Sequence, residues 1–380
     1  MLKDIIKTEY FMRKILIIAG ILLCCLNMQA QDMKSLFVAL PDSLSPLLKI
    51  LFEKNLLIYE GNFESTGGRK AQVISINGAA RYVISVNLSD KGIKADILDL
   101  NCNVIGNMRV PVKYEKGSAY GEMVADTVTR LVEHTGIDKA AIFGVGITVP
   151  GIFDIENSTV VYAPTMGIKN YSLENIQRLL PYECRGMNDA RSGAFAEYWF
   201  DKKDINPEKR EGKTYLMLNT GVGGSYIDRE NIRFGKHNRY GEFGHMTLYP
   251  AGRPCFCGKR GCFESYVSAR CLSTDLGITL DIFFDKLENG NEEYKKIFDK
   301  YLDDLTTGIN NLYIMSDGDV IVGGPVAVYL EKYKDIISKM LIDKCSFDID
   351  GSYLSFAKCT QQQADSGAAL TFFSDFISQI

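Results

Sequence analysis

The chain has 380 residues, 46% of them hydrophobic and 24% charged, with a net charge of −4 and a pI of about 5.6. Such a length fits two or three domains with cores of their own, and the composition is that of an ordinary globular protein. The slight acidity excludes a molecule held to nucleic acid by bulk positive charge.

At the N-terminus, "MRKILIIAGILLCCLNMQAQ" (12–31) has a basic start, an apolar run and a small residue near its end, much like a secretory signal. The run is too short to span a membrane, and a buried first helix of a small domain has the same pattern. Residues 13–27 read as one helix. "QDMKSLFVAL" (31–40) reads as a second, with Met33, Leu36, Phe37 and Leu40 on one face. A third follows the turn "PDS" (41–43), with Pro46 in its first turn. "IYEGNFESTGGRKAQVISING" (58–78) then reads as strand, turn, strand. Three helices and a hairpin make a winged helix-turn-helix, whose third helix enters the DNA major groove. A small helical cap with no ligand is the other reading of the same pattern.

From about residue 80 the pattern is α/β. "RYVISVNLSDKGIKADILDLNCNVI" (81–105) reads as strands joined by a tight turn, and "AIFGVGITVPGIF" (141–153) as a buried strand ending at Pro150-Gly151. "YLMLNTGVGGSYIDRENIRFG" (215–235) repeats the strand–glycine turn–strand theme, and helical stretches near 118–135 and 296–315 separate these units. Two such halves predict two α/β lobes with a cleft between them. The charged stretch 201–213 reads as a solvated loop between the lobes.

"GHMTLYPAGRPCFCGKRGCFES" (244–265) holds His245, Cys255, Cys257 and Cys262 in one glycine-rich loop. Imidazole nitrogen and thiolate sulfur suit tetrahedral zinc, and four such ligands close a structural site. Gly252, Gly258 and Gly261 allow the chain to fold back so that the sulfurs converge. The other readings are plain buried cysteines or a disulfide, although Cys255 and Cys257 are too close in sequence for a relaxed one. The remaining cysteines are scattered, which suits a reducing compartment. "NTGVGGSY" (219–226) and "VIVGGPVAVY" (320–329) place glycines after strands, where backbone N–H groups can approach phosphate or simply turn the chain. In "MNDARSGAFAEYWF" (187–200), Asn188 and Asp189 end a strand before a helix. Asp189 there is either a helix cap or a base for a substrate hydroxyl.

Taken together, "GEFGHMTLYPAGRPCFCGKRGCFESYVS" (241–268), "ITVPGIF", "VYAPT", "NDARSGAFAE", "NTGVGGS", "IVGGP" and "DSGAAL" (365–370) resemble, in order, the ROK family of sugar kinases and transcriptional repressors. The resemblance covers about residues 56 to 375. It implies a two-lobed ribonuclease H-like (actin-type ATPase) fold: first lobe 76–198, and second lobe with the zinc loop 199–380. It also implies sugar contacts from Asn188, Asp189, Glu242, His245 and Glu264, with zinc on His245, Cys255, Cys257 and Cys262 locking the loop that carries two of them.

Kinase members of the family carry an Asp-x-Gly-Gly-Thr turn that holds ATP phosphate and its metal. The matching residues here are Asn87, Leu88, Ser89, Asp90 and Lys91, and a carboxylate at a triphosphate contact repels it. The second phosphate turn opens on Asn219 rather than Gly. "STGGRKAQVISINGAARYVISV" (65–86) resembles the wing and linker of ROK repressors, and residues 21–58 match the spacing of their winged helix, which makes the signal-like run the first helix. A degenerate winged helix-turn-helix is therefore expected over 1–75, with Ser43, Ser45 and Lys49 nearest DNA. Asp42-Ser43 replaces the usual Leu-Ser entry, and only Lys49 and Lys54 supply cations. The expected protein is a cytoplasmic sugar-responsive repressor, a homodimer or higher homo-oligomer, with a sugar or sugar phosphate and an operator as partners and no membrane contact. The alternatives are an ATP- and Mg2+-dependent hexose or N-acetylhexosamine kinase with Asp189 as catalytic base, and an exported sugar-binding protein if residues 12–31 are cleaved.

Overall fold

Two five-stranded sheets of like connectivity organise the residues that this computed structural model describes, which are 45–62, 72–201, 212–228, 231–347 and 350–379. Ahead of them, α1 (Ser45–Glu53) is followed by an antiparallel hairpin, β1 (Leu57–Asn62) and β2 (Gln72–Ile76), with Leu57 opposite Ile76. Leu48, Leu51 and Phe52 recur at helical spacing and share a cluster with Leu56, Leu57 and Ile76, into which Leu100 and Phe376 of the main body also pack. The helix and hairpin lie where the sequence predicts them. The helices expected over 13–27 and 31–40, Ser43, the signal-like run and the tip of the wing lie outside the described residues.

The first sheet opens with β3 (Tyr82–Ser89), β4 (Gly92–Asp99) and β5 (Val104–Val110), an antiparallel meander of alternating β-branched and small residues. After α2 (Ala119–Thr135), β6 (Ile142–Val149) joins β3 in parallel, as long helical crossovers require. Buried Val124, Val128 and Leu131 give α2 one apolar stripe toward the sheet, and Gly136 ends it in the left-handed region at φ 64°. A small antiparallel sheet of β7 (Ile152–Asp154), β8 (Thr159–Ala163) and β9 (Ile168–Ser172) precedes α3 (Glu174–Gln177) and β10 (Cys184–Asn188), the parallel edge strand. The order is β10-β6-β3-β4-β5.

Next, α4 (Asp189–Phe200) leads to β11 (Lys213–Leu218), β12 (Val222–Asp228) and β13 (Asn231–Ile232). After the cysteine loop come α5 (Glu264–Val267), α6 (Leu280–Glu288) and α7 (Glu292–Ser316). They are followed by β14 (Val320–Gly323), α8 (Ala327–Leu330), α9 (Lys334–Lys344) and β15 (Leu354–Phe356). The second order, β13-β12-β11-β14-β15, reproduces the first: a meander on one side of the leading strand and two parallel strands on the other. Its core joins Leu216, Leu218, Val320 and Val322 to Phe298, Leu305 and Ile309 of α7.

The last two helices, α10 (Gln361–Asp365) and α11 (Gly367–Gln379), return to the first sheet, where α11 packs on β6 and β3 and both helices pack on α4. A second lobe running from 199 to 380 has no place for this return. It depends on close approach of backbones that the sequence order hides: a Cβ on Gly146 would lie 2.1 Å from the Ala369 nitrogen, and one on Gly367 1.9 Å from the Ser192 oxygen. Small residues of α4 (Ala190, Ser192, Gly193, Ala194, Ala196) are buried and let it lie against β11 and β12 as well as α10 and α11. No helix among the described residues is long and apolar enough to cross a membrane.

Gly146→Ala should lower stability by about 1–3 kcal/mol, the usual cost of inserting a methyl where the backbone cannot give way. Chemical denaturation measures it, and an unchanged midpoint would show that α11 is not seated on β6 as described.

Candidate functional site

The loop between β13 and α5 folds back on itself through two isolated bridges, Thr247 with Cys262 and Pro254 with Arg260. Gly258 N–H donates to the Cys255 carbonyl, and Cys255 N–H donates to the Lys259 carbonyl, so the tip is one tight turn. Gly261 has φ 79°, and a Cβ there would lie 1.7 Å from the Tyr249 oxygen; no other residue fits. Gly252 serves close approach instead, since a Cβ on it would meet the Tyr266 hydroxyl at 2.1 Å. The result is convergence: one ligand atom from each of His245, Cys255, Cys257 and Cys262 lies within 4.8 Å of the others. His245 Nδ1 faces Cys255 Sγ at 3.9 Å, and the sulfurs of Cys257 and Cys262 are 3.7 Å apart. That gap is far beyond the ~2.05 Å of a disulfide, and no disulfide joins any of the described cysteines. Three sulfurs and one imidazole nitrogen at these separations form a donor set able to hold a metal ion.

The loop is buttressed from behind. Tyr249 Oη donates to Asp304 of α7 at 2.6 Å, and Lys300 bonds both at 2.8 and 2.7 Å. Glu264, 6% exposed at the start of α5, accepts from Val222 N–H at 2.9 Å and faces Cys255 Sγ at 3.6 Å. One carboxylate thus fastens the cysteine loop to the glycine turn 219–222.

Asn188 and Asp189 sit where β10 becomes α4. Asn188 caps the helix, accepting from the N–H groups of Ala190 and Arg191 at 2.9 and 3.2 Å, and its Nδ2 donates to the Gly151 carbonyl at 2.8 Å. Asp189 accepts from Ala190 N–H at 2.9 Å. Burial, together with the charges of Glu242 and Asp365, pushes the Asp189 carboxyl up to about 6. Glu242 is raised by burial as well, against the lowering influence of His245 and Arg191, while Glu264 adds to the rise. The structure therefore brings Asp189, at the start of α4, and Glu242, His245 and Glu264, on the cysteine loop and α5, into one electrostatic neighbourhood. Carboxylates held this way in a cleft accept hydrogen bonds from hydroxyl groups. Lys49 and Ser45 lie far along the chain on α1. Lys49 is exposed and pairs with Glu53 at 3.9 Å on the same face.

A second polar cluster was not foreseen in the sequence. Lys94, opposite Asn87 in the β3–β4 register, pairs with Asp365 at 3.3 Å and with Asp96 at 3.2 Å. Asn87 and Gln361 also donate to Asp365 at 3.3 and 2.8 Å, and Gln362 donates to Asp96, which is only 2% exposed. The signal was present in "GIKADILD": Lys94 and Asp96, two apart, share one face of a strand whose neighbours are apolar. Polar pairs on a buried strand face require a partner, and Asp365 arrives from the far end of the chain.

A sequence profile described as "ROK family" matches residues 83–373. The xylose repressor of Bacillus spizizenii is 26% identical over 235 residues, which span 62% of this chain and 60% of that protein. A glucokinase of Halalkalibacterium halodurans is 27% identical over 192 residues, 50% of this chain and 57% of that one. The chain thus spans about 60% of the length of the repressor it matches. Among solved structures, a ROK family transcriptional regulator, homologous to the E. coli MLC protein, superposes with a TM-score of 0.72 at 17% identity. That superposition covers 96% of this chain and 97% of the other, so the two share a mixed α/β fold.

A carboxyl raised from 3.8 to about 6 binds its proton more tightly in the folded state than in the unfolded one. Its ionisation therefore costs stability, by an amount that is absent below the unfolded value, grows as pH rises toward 6 and stays constant above. Asp189→Asn keeps the Oδ1 acceptor and removes the charge. Its expected effect is a stabilisation of about 1–3 kcal/mol at pH 7.5 that shrinks toward zero near pH 4. Denaturation of both proteins at the two pH values measures it; a gain of equal size at both would show that the charge of Asp189 is not the cause.

Proposed function

The chain belongs to the ROK family, and we propose that it is a sugar-responsive transcriptional regulator of that family, binding a sugar in the cleft and DNA through its N-terminal segment. The observation that carries this reading is the β3–β4 turn. Ser89 pairs with Gly92, its Oγ donates to the Gly92 carbonyl at 3.3 Å and accepts from Lys91 N–H, and Asp90 and Lys91 stand exposed at the tip. A turn closed by its own side chain, with a carboxylate at its tip, offers no cradle for a triphosphate, and phosphoryl transfer depends on that cradle. Similar identities to a repressor and to a glucokinase leave the choice to such local features. The like order of the two sheets supports a ribonuclease H-like, actin-type arrangement.

In this reading Asn188, Asp189, Glu242, His245 and Glu264 hold the sugar. The metal is zinc: two sulfurs on a tetrahedral zinc at ~2.3 Å each lie about 3.8 Å apart, and Cys257 and Cys262 are 3.7 Å apart. Zinc there has a structural role, keeping His245 and the Glu242 and Glu264 flanks in place. His245 turns Nδ1 toward the sulfurs, which leaves Nε2 for a ligand. Lobe closure on the sugar then alters the spacing of two DNA-binding segments in a homodimer. The described helix α1, with Ser45 and Lys49, would be the groove-facing element, Ser43 just before it. Lys49 shares its face with Glu53, so net phosphate neutralisation is small, and DNA affinity should be modest and fall only shallowly with salt.

Four outcomes are expected. Elemental analysis of purified protein should find about one zinc per chain, and Cys257→Ser should cut metal affinity at least about tenfold; protein without stoichiometric zinc ends that part of the reading. Sugar binding should weaken as pH falls through about 6, since protonation of Asp189 removes a charge-assisted acceptor that is present above that value. ATP-dependent phosphorylation of glucose, N-acetylglucosamine or N-acetylmannosamine should be negligible. Turnover near one per second, an ordinary enzyme rate, would make the protein a kinase with Asp189 as base. Selection of genomic DNA at low salt completes the test, and recovery of no enriched site would sink the regulator reading.

A further inference from the structure

The groups in the cleft that are suited to hold a phosphate are already engaged by the chain's own carboxylates and carbonyls. The glycine turn 219–222 has the composition of a phosphate cradle, yet three of its four N–H groups are taken. Asn219 N–H donates to the Gly221 carbonyl, Thr220 N–H to Asn219 Oδ1 at 2.8 Å and Val222 N–H to Glu264 Oε2 at 2.9 Å. The N-terminus of α4, the other natural anion site, is occupied in the same way. Its first free N–H groups, those of Ala190 and Arg191, bond to Asn188 Oδ1, and that of Ala190 also bonds to Asp189 Oδ1.

Two of the cations are similarly committed. Lys94 lies between Asp96 and Asp365, so its ammonium is more than neutralised. The guanidinium of Arg191, a buried residue, donates to the carbonyls of Asn238 and Tyr240 at 2.7 and 3.2 Å and lies over the Phe234 ring at 5.0 Å. Arg239 is exposed near the rim and acts on Glu242. Against these stand Asp189, Glu242, Glu264, Asp96 and Asp365. A phosphate dianion entering this cleft meets carboxylates on both walls and finds its donors occupied. A sugar hydroxyl, by contrast, donates to carboxylates and needs no unpaired cation.

We propose that the cleft takes a neutral, unphosphorylated sugar as its effector and rejects sugar phosphates, with Lys94 held by Asp96 and Asp365 as an internal ion pair where an anionic ligand would otherwise be countered. This rests on the reading of the cleft as a sugar site.

The test is isothermal titration of the full-length protein, zinc-loaded, with D-xylose, D-glucose and N-acetyl-D-glucosamine, and with glucose 6-phosphate and N-acetylglucosamine 6-phosphate. At least one neutral sugar should bind, and its phosphate ester should bind at least about 100-fold more weakly, as like-charge juxtaposition in a protein cleft dictates. Equal or tighter binding of a phosphate ester overturns the proposal while leaving the sugar site intact. Binding of none of the panel removes the sugar-site reading on which the proposal rests, and the proposal with it. Asp96→Asn, which leaves Lys94 only one carboxylate, should raise the affinity for the phosphate ester relative to its neutral sugar at least about tenfold. A ratio that does not move overturns the part assigned to Lys94. Should the variant fail to fold, the wild-type titrations decide alone.

Discussion

Asp365 is the residue on which the arrangement of the cleft depends. Its carbonyl accepts from the hydroxyls of Ser85, Thr148 and Ser192, which lie on β3, β6 and α4. Its carboxylate accepts from Asn87, Lys94 and Gln361, and burial raises its pKa against the pull of Gln361 and Lys94. A buried carboxylate and a buried carbonyl both carry large penalties if left unpaired, so five elements are drawn to one point. Once α10 is held there, α11 has its start fixed, and Gly146 and Gly367 admit it to the face of β6. The N-terminus of α4, with Asn188 and Asp189, is placed by the same contacts.

The opposite wall has its own anchor in Glu264. A short α5 positions this side chain between the cysteine loop and the turn after β11, where it closes the Val222 N–H. Its brace includes polar contacts: Tyr249 and Lys300 on Asp304, and Tyr266 accepting from Arg253 N–H at 2.7 Å, beside the four converging His and Cys side chains. Loops of this length rarely hold side chains to ångström tolerance by apolar packing alone, and a polar buttress adds to it with few residues. The two walls differ in what tunes them. Asp189 is governed by burial and neighbouring carboxylates, and Glu264 fastens the loop to the glycine turn.

The two walls also explain why a chain with so much of a phosphate-handling sequence pattern has so little free phosphate-handling chemistry. The glycine turn 219–222 and the N-terminus of α4 are both present, but Asn219, Glu264, Asn188 and Asp189 take N–H groups of both internally. A backbone N–H can serve one strong acceptor at a time. Where that acceptor is built into the chain, the motif is a structural turn, and pattern matching by itself does not separate the two cases.

Features set by local order could be read directly from the residues. The period-two and period-3.6 patterns marked the strands and helices of both halves, and Pro46 marked the start of α1. The cysteine loop was legible because its four ligands lie within one short segment, so turn chemistry alone brings them together. Asn188 and Asp189 were legible for the same reason, standing at a strand-to-helix junction. The tertiary structure decided what depends on distant segments meeting. Lys94 and Asp96 look like two solvated charges on a strand until Asp365 reaches them from the other end of the chain. The return of α10 and α11 to the first sheet was hidden because its condition, bare backbone at Gly146 and Gly367, is a matter of fit between surfaces rather than of pattern. Whether a glycine turn offers its N–H groups to a ligand is set by which side chain arrives to take them, and only the folded chain brings Glu264 to Val222.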